Sequence, residues 1–321
     1  MSVVGVCGLG LIGSSIARAA LLRGRVLGYD PDQRTREDAA AIGIDVRGGL
    51  TELLESDVLV LAGPTAVNAA LLSELPPGTA AVMDVGSAKL PIVEAWASNP
   101  AVRFIPSHPM AGSEFAGFSA GRADLFQGAS WPVVIVEHTD PQALALVLSL
   151  IAAMGARAVP VSAAAHDRAV ATVSHLPHLL AGALGQTMSN HESLALRLAA
   201  GSFRDVTRIS GSPPARTAEF VVANHEQAAA RARAAASALN AVADSLDAAA
   251  VDDVADWLEA SHRARGLFES SRSGEVEQLI IPSAEALRDR LLAARDTGLE
   301  VLSIDGGSAG FQVALLGAPP W

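Results

Sequence analysis

The stretch Val3-Val4-Gly5-Val6-Cys7-Gly8-Leu9-Gly10-Leu11-Ile12-Gly13 joins a short apolar run to three glycines spaced as G-x-G-x-x-G. An amphipathic segment, Ser14 to Arg23, follows at once and is typical of a helix. In such a strand-turn-helix unit, Gly8 permits the tight turn, Gly10 lets a pyrophosphate approach the backbone, and Gly13 lets the helix pack closely on the strand. The helix N-terminus then presents free N–H groups and a positive dipole end to the phosphates. The stretch predicts a dinucleotide site; a glycine-rich turn without a ligand is the alternative.

Asp30 stands at the end of a second apolar run, Val26–Tyr29, at the distance from the glycines that suits a ribose-binding carboxylate. A carboxylate there accepts hydrogen bonds from both ribose hydroxyls and repels a 2′-phosphate, which favours NAD over NADP. Arg34 and Arg36 follow closely, so NADP stays open as the less favoured cofactor.

Short β-rich runs continue to alternate with alanine-rich helical segments through the first half of the chain. This pattern is that of βαβ units and predicts an α/β fold with a doubly wound parallel sheet. We expect its strands at Val3–Cys7, Val26–Tyr29, Val58–Ala62, Ala80–Asp84, Phe104–Pro106, Pro132–Val136 and Ala158–Val161.

The strand pattern ends near His166, beyond which the chain is rich in the helix formers Ala, Leu, Arg and Glu. After residue 272 it changes again to a short β-α-β-β tail. We therefore expect a dinucleotide-binding domain at 1–163, an all-α domain at 164–272 and an extension of undetermined role at 273–321. The Ala- and Leu-rich helices suggest a homodimer.

The composition excludes several classes of protein. With 34 acidic and 23 basic residues the net charge is −11, which argues against a nucleic-acid or anionic-membrane partner. Half of the residues are hydrophobic and 18% are charged, as in a folded chain. Cys7 is the single cysteine, so no internal disulfide forms and a reducing compartment, the cytoplasm, is expected. The apolar run Ala143–Ala156 is too short to span a membrane.

Two motifs follow expected strands at the carboxyl edge of the sheet, where doubly wound folds bind ligands. Asp84-Val85-Gly86-Ser87-Ala88-Lys89 holds the only lysine of the chain, which indicates a position that needs a compact ammonium; a turn with a chance lysine is the alternative. Ser107-His108-Pro109-Met110-Ala111-Gly112-Ser113-Glu114 places a histidine where a general acid or base is expected, unless it merely caps a loop.

Histidines mark the start of the helical half, in His166-Asp167 and Ser174-His175-Leu176-Pro177-His178. On a helix Ser174 and His178 share a face and His175 points elsewhere. Because Pro177 cannot donate to the carbonyl four residues before it, we expect a kink here. The spacing does not match H-E-x-x-H and no cysteine ligand is present nearby, so no metal is expected.

The last motif, Gly201-Ser202-Phe203-Arg204-Asp205-Val206-Thr207-Arg208-Ile209, places two arginines about one helical turn apart in an acidic protein. Such a pair is either a salt-bridged surface or a carboxylate clamp, since guanidinium groups bind carboxylates bidentately. Both interpretations stay open on the residues alone.

Taken together, these stretches resemble the prephenate/arogenate dehydrogenase family of tyrosine biosynthesis over about residues 3–270. The matching pieces occur in the family's order: the glycine turn, Asp84-Val85-Gly86-Ser87-x-Lys89, His108-Pro109-Met110-Ala111-Gly112-x-Glu114, His166-Asp167 with Ser174–His178, and Phe203-Arg204-Asp205-x-Thr207-Arg208-Ile209. The resemblance implies a Rossmann domain followed by a helical dimerisation domain. It also implies NAD-dependent oxidative decarboxylation of a small-molecule substrate, prephenate or arogenate.

The resemblance further implies roles for single residues. His108 would deprotonate the 4-hydroxyl of the substrate, and Ser87 would orient His108 or that hydroxyl. Substrate contacts are expected at His178, Arg208, Arg204, Ser174, Lys89 and Glu114. Cofactor contacts are expected at Gly8, Gly10, Leu11, Ile12, Gly13, Asp30, Pro64 and Asp84.

Two departures from the family pattern stand out. Thr217 occupies the place where many members carry a tryptophan, so the pocket wall or dimer contact there is expected to differ. The tail is too short for a complete ACT-type module, and a truncated regulatory unit or an added dimer strand both stay open. A 3-hydroxyacid dehydrogenase of the 6-phosphogluconate type would need a lysine in the second domain, which this chain lacks. A catalytically silent NAD-binding sensor is the alternative from another class.

Overall fold

The computed structural model describes residues 3–188, 193–271, 274–307 and 310–317. Six parallel strands form the first sheet in the order β3-β2-β1-β4-β5-β6. They are β1 (Val4–Cys7), β2 (Val26–Tyr29), β3 (Asp45–Val46), β4 (Val58–Leu61), β5 (Ala81–Asp84) and β6 (Phe104–Ile105). Helices α1 (Leu11–Leu21), α2 (Gln33–Ala41), α3 (Thr65–Glu74) and α4 (Leu90–Ala97) connect them, with a 3₁₀ turn at Leu50–Glu55. The predicted doubly wound parallel sheet is confirmed.

The strand order reverses at β1, which lies between β2 and β4. Buried clusters on the two faces of the sheet hold it between layers of helix, one with Ile16 of α1 and the other with Leu72 of α3 and Ile92 of α4. Because the strands are parallel, the segments after β1, β4 and β5 all leave from the same edge. A crevice at such a reversal is where this architecture binds ligands.

The chain continues through β7 (Ser130–Val134), α5 (Pro141–Ala153) and β8 (Arg157–Val161) into the helical region. The helices there are α6 (Ala163–Val170), α7 (Leu176–Thr187), α8 (Ser193–Leu198), α9 (Gly201–Thr207), α10 (Pro214–Ala223), α11 (His225–Asp247) and α12 (Val251–Ser270). A five-residue π-helical turn, Ala171–His175, joins α6 to α7, and a 3₁₀ turn, Arg208–Gly211, follows α9.

The tail forms β9 (Val276–Ile281), α13 (Ala284–Ala293), β10 (Glu300–Gly307) and β11 (Gly310–Leu316), the expected β-α-β-β order. These strands build a second sheet with β7 and β8, in the order β7-β8-β10-β11-β9. The last two strands expected in the parallel sheet therefore lie in a different one. The two sheets meet where Ser107 bridges Val133 in antiparallel fashion, just after the short β6.

The tail is thus packed into the core of the first half. Leu287 of α13, Val301 of β10 and Val313 of β11 belong to the same buried cluster as residues of β1 and α1. The expected boundary between residues 272 and 273 lies outside the described residues.

The helical region buries little of its own apolar surface. Ala228 is the one buried residue of α11, and α12 has none within its described span. Large apolar side chains are exposed along both helices: Leu239, Leu246, Val251, Trp257, Leu258, Leu267 and Phe268. Across the described residues, no helix combines the length and apolar character needed to cross a membrane.

Candidate active site

A cavity of about 570 Å³ opens at the carboxyl edge of the first sheet and is closed by the helical region. The turn after β1 and the loops after β4, β5 and β6 form one wall; the π-helical turn, α7, the 3₁₀ turn and α10 form the other. It brings together these predicted residues: Gly10, Leu11, Ile12, Pro64, Ser87, His108, Glu114, Ser174, His178 and Arg208. Among the described residues, the predicted ones that do not line it are Gly8, Gly13, Asp30, Asp84, Lys89 and Arg204.

The glycine turn fits a dinucleotide by its shape. Gly8 has a φ of +93°, which L side chains rarely adopt, and a Cβ on Gly13 would lie 1.9 Å from the carbonyl oxygen of Gly8. A Cβ on Gly10, in contrast, would meet nothing within 4 Å, so the backbone there is open to a ligand. These are the three properties that a pyrophosphate at a helix N-terminus requires.

The Asp30 carboxylate is held beside that turn by two backbone amides. Its oxygens accept from Leu9 N at 2.7 Å and from Asp32 N at 2.9 Å. Arg36 donates to the carbonyl oxygens of Asp30 and Pro31, so its guanidinium is already engaged with the backbone. The arrangement suits a ribose diol better than a 2′-phosphate.

Lys89 and Asp84 lie in the interior and do not line the cavity, although contacts with substrate and cofactor were expected of them. The fully buried Lys89 Nζ lies 2.5 Å from Asp84 Oδ2 and donates to the carbonyl oxygen of Ser107 at 2.7 Å. Asp84 is also fully buried and accepts from the amides of Gly86 and Ser107. Burial lowers the pKa of Lys89, and the Asp84 carboxylate opposes that shift. The pair joins the loops after β5 and β6 from within the core.

A buried chain of three side chains ends at His108. Asp167 Oδ1 lies 2.7 Å from His166 Nδ1, and His166 Nε2 lies 3.1 Å from His108 Nδ1. Asp167 also accepts from the amides of Lys89 and Leu90 at the start of α4, which fixes its carboxylate. Although burial alone would raise it, the pKa of Asp167 is lowered by hydrogen bonds from His166 and from these amides.

This series of hydrogen bonds determines which nitrogen of His108 carries the proton. Ionised Asp167 can only accept, so His166 Nδ1–H donates to it and His166 Nε2 accepts from His108 Nδ1–H. His108 Nε2 is therefore the unprotonated nitrogen and is available to a ligand in the cavity. Burial first, and then the neighbouring His166 and the Lys89 ammonium, hold the pKa of His108 well below its ordinary value. The sequence motif included His166-Asp167, but nothing in it predicted this contact.

Ser87 hydrogen-bonds to His175 instead of His108, with 3.0 Å between Ser87 Oγ and His175 Nε2. His175 is fully buried, and burial is the main reason that its pKa falls to about 4. The other nitrogen, Nδ1, faces the side-chain amide of Asn224 at 3.3 Å. Within the described part of the chain, no three His, Cys, Asp or Glu side chains are grouped to hold a metal ion.

The helical wall of the cavity carries two positively charged side chains, Arg208 and Arg216. Arg208 lies there with Arg216, which donates to the carbonyl oxygens of Ser113 at 2.8 Å and Phe115 at 3.1 Å. Burial, followed by the charges of Arg216 and Arg208, lowers the pKa of His178. Arg204 is instead 79% exposed and lies 3.7 Å from Asp205, away from this wall.

Three residues of α10 that line the cavity, Arg216, Glu219 and Phe220, were not predicted from the sequence. Glu219 accepts from the amide of Thr65 at 2.9 Å, at the start of α3. The hydrogen bonds of Arg216 and Glu219 both join the helical wall to loops of the first sheet. The only sequence signal nearby is the departure from the family pattern at Thr217.

Comparison with known proteins identifies the family of this chain. The family model described as prephenate dehydrogenase, nucleotide-binding domain, matches residues 15–160, and the one described as prephenate dehydrogenase, dimerization domain, matches residues 162–260. A cyclohexadienyl dehydrogenase of Zymomonas mobilis is 33% identical, over 69% of this chain and 80% of that protein. A prephenate dehydrogenase of Bacillus subtilis is 32% identical, over 69% of this chain and 64% of that protein.

One solved structure extends the likeness to the fold. Prephenate dehydrogenase from Aquifex aeolicus, in complex with hydroxyphenyl propionate and NAD⁺, has a TM-score of 0.74 and 26% identity, covering 84% of this chain and 98% of that one. The two family models match consecutive parts that together make up most of the chain. This protein therefore belongs to the prephenate dehydrogenase family.

Proposed function

We propose that this protein catalyses the NAD-dependent oxidative decarboxylation of prephenate to 4-hydroxyphenylpyruvate. The observation that carries the proposal is the buried chain from Asp167 through His166 to His108, which leaves His108 Nε2 as a base at the cavity. A neutral imidazole there can accept the proton of a substrate hydroxyl.

In this reaction, the C–H bond at the ring carbon that bears the 4-hydroxyl breaks, and the hydrogen leaves with the bonding electrons as hydride. Bound NAD supplies the acceptor for that hydride. His108 takes the hydroxyl proton as the carbonyl forms. The ring carboxylate then leaves as CO₂, its bonding electrons enter the ring, and His108 returns the proton to the oxygen as the phenol forms.

The proposed cofactor contacts are the open backbone at Gly10, the segment Leu11–Ile12 and Pro64 across the crevice. Asp30 would bind the adenosine ribose, and its negative charge favours NAD over NADP. The Aquifex aeolicus relative, whose crystal structure contains NAD⁺, supports this assignment.

Arg208 and His178 are the proposed partners of the substrate carboxylates, with Ser174 beside them on the same wall. A guanidinium suits this role because it binds a carboxylate through two parallel hydrogen bonds and stays charged. The cavity thus pairs a base at one wall with cations at the other, as a dianionic substrate requires.

Arogenate is the second candidate substrate. It carries an ammonium where prephenate has a side-chain keto group, and two carboxylates, Glu114 and Glu219, line the cavity and could pair with that ammonium. Initial rates of NADH or NADPH formation with prephenate and arogenate, each with NAD and NADP and with and without tyrosine, compare these possibilities. We expect prephenate with NAD to be fastest; no turnover of either substrate would favour the silent sensor.

We also propose a cytoplasmic homodimer that is formed by the helical region. The exposed apolar side chains of α11 and α12 support it, because surfaces of this kind are usually covered by a partner. A monomer measured by light scattering at working concentration would contradict this arrangement.

A further inference from the structure

A second buried hydrogen-bond chain ends at the cavity on Ser87. It runs from the backbone carbonyl of Asp167 through the side chains of Asn224 and His175. Asn224 lies between α10 and α11 and is 5% exposed, and His175 is fully buried. The reaction described above assigns no task to either side chain.

The chemistry of this chain fixes its direction. The carbonyl oxygen of Asp167 can only accept, so Asn224 must present its NH₂ group, with Nδ2 at 2.8 Å. The same nitrogen lies 3.3 Å from His175 Nδ1, which must then be the unprotonated acceptor. The proton of neutral His175 resides on Nε2 and is donated to Ser87 Oγ at 3.0 Å. The other tautomer would oppose an N–H of His175 to the N–H of Asn224.

Ser87 therefore accepts from His175 and has its own hydroxyl proton left to donate. Because Ser87 lines the cavity, that proton is available to a ligand there. The lowered pKa of His175, about 4, keeps the ring neutral at pH 7, so His175 remains the donor to Ser87 under working conditions. His108 has the opposite role at the cavity, because its Nε2 can only accept a hydrogen bond whereas Ser87 can donate one.

We infer that Asn224 and His175 are positioning residues that make Ser87 a hydrogen-bond donor to the same substrate oxygen that His108 deprotonates. The inference rests on the proposed function for its substrate. The oxygen gains negative charge when the ring carboxylate leaves and its electrons enter the ring. A preorganised donor aimed at developing charge is among the strongest means of lowering such a barrier.

The direct test is the tautomer of His175, measured in the full-length protein by ¹⁵N-detected two-bond ¹H–¹⁵N NMR correlation. We expect a proton on Nε2 in the wild type and loss of that preference in Asn224→Ala. A proton on Nδ1 in the wild type overturns the inference. This readout needs no turnover, so it stands or fails separately from the proposed function.

Kinetics with prephenate and NAD provide the second test. We expect Asn224→Ala to lower kcat about 10-fold and His175→Leu about 10²-fold, with the KM for NAD nearly unchanged, as for loss of a transition-state donor. His175→Gln is the matched control, because its amide can still donate from the place of Nε2, and it should recover most of kcat. A raised KM for NAD with unchanged kcat would overturn the inference, since Ser87 would then serve the cofactor.

Thermal unfolding separates these effects from a folding defect. If Asn224→Ala fails to fold, the comparison of His175→Gln with His175→Leu still tests whether donation from His175 to Ser87 contributes to kcat. Equal loss of kcat in both of these folded variants would show that donation to Ser87 is not what His175 contributes.

Discussion

At the scale of single residues, His108 carries the proposed proton transfer. His108→Asn keeps a polar side chain but cannot take a proton, so we expect kcat to fall by about 10²–10⁴-fold with KM little changed. Steady-state rates of NADH formation measure this. An unaltered kcat would remove His108 from the mechanism.

The pH dependence follows from the same residue. Neutral His108 is the active form, so kcat/KM should be constant at high pH and fall as the pH drops through the pKa of His108. Burial, together with His166 and Lys89, holds that pKa well below the ordinary value, so the fall should lie at lower pH than for a free imidazole. A pH profile with its inflection at or above the ordinary histidine value would contradict this environment.

Arg208 belongs to substrate binding in the proposed function. Arg208→Ala removes a charge-assisted contact and should raise the KM for prephenate more than it lowers kcat. The matched control is Arg288→Ala on α13, where the guanidinium pairs with Asp289 and lies outside the cavity lining. Equal KM values for the two variants would refute the assignment of Arg208.

At the scale of elements, the glycine turn can be tested with a pair of substitutions. Gly13→Ala places a Cβ against the carbonyl of Gly8 and should lower both the melting temperature and the affinity for NAD. Gly10→Ala has room for its Cβ, so it should fold normally and lose only NAD affinity, because the methyl group occupies the approach of the pyrophosphate. Calorimetric titration and thermal unfolding distinguish the two, and unchanged NAD binding by Gly10→Ala would argue against the proposed approach.

The expected kink near Pro177 takes the form of a π-helical turn over Ala171–His175. Pro177 lies in the first turn of α7, directly after this π-helical turn, and cannot donate to the carbonyl of Val173. The wider turn leaves Ser174 and His178 at the cavity and turns His175 inward to Ser87. The helical spacing of these residues predicted that Ser174 and His178 share a side, but the partner of His175 depends on a distant segment.

At the scale of the whole molecule, the tail is part of the core. Deleting residues 272–321 would expose buried side chains of β8 and α5 and remove Leu287, Val301 and Val313 from the shared cluster. Each such side chain contributes about 1.5–3 kcal/mol by burial, so we expect a large drop in melting temperature or insoluble protein.

Two point substitutions provide controls for that deletion. Leu287→Asp, at a fully buried position, should reproduce the loss of stability, whereas Ile280→Asp, at a side chain that is 67% exposed, should not. If the truncated chain has the same melting temperature as the full-length protein, the tail strands of the second sheet are not needed for stability.

The parts of this protein that depend on neighbours along the chain could be predicted from its residues alone. The glycine turn, the alternation of strands and helices and the order of the tail all follow from backbone preferences and periodic burial within short windows. The unusual status of Lys89 was also visible, but its partners were not: Asp84 and the carbonyl of Ser107 surround its ammonium in the interior, outside the cavity lining. The contact of Ser87 with His175, 88 residues away, and the pairing of β10 with β8 could be known only from the folded chain. Such contacts depend on which distant surfaces pack together, and no local pattern contains that information.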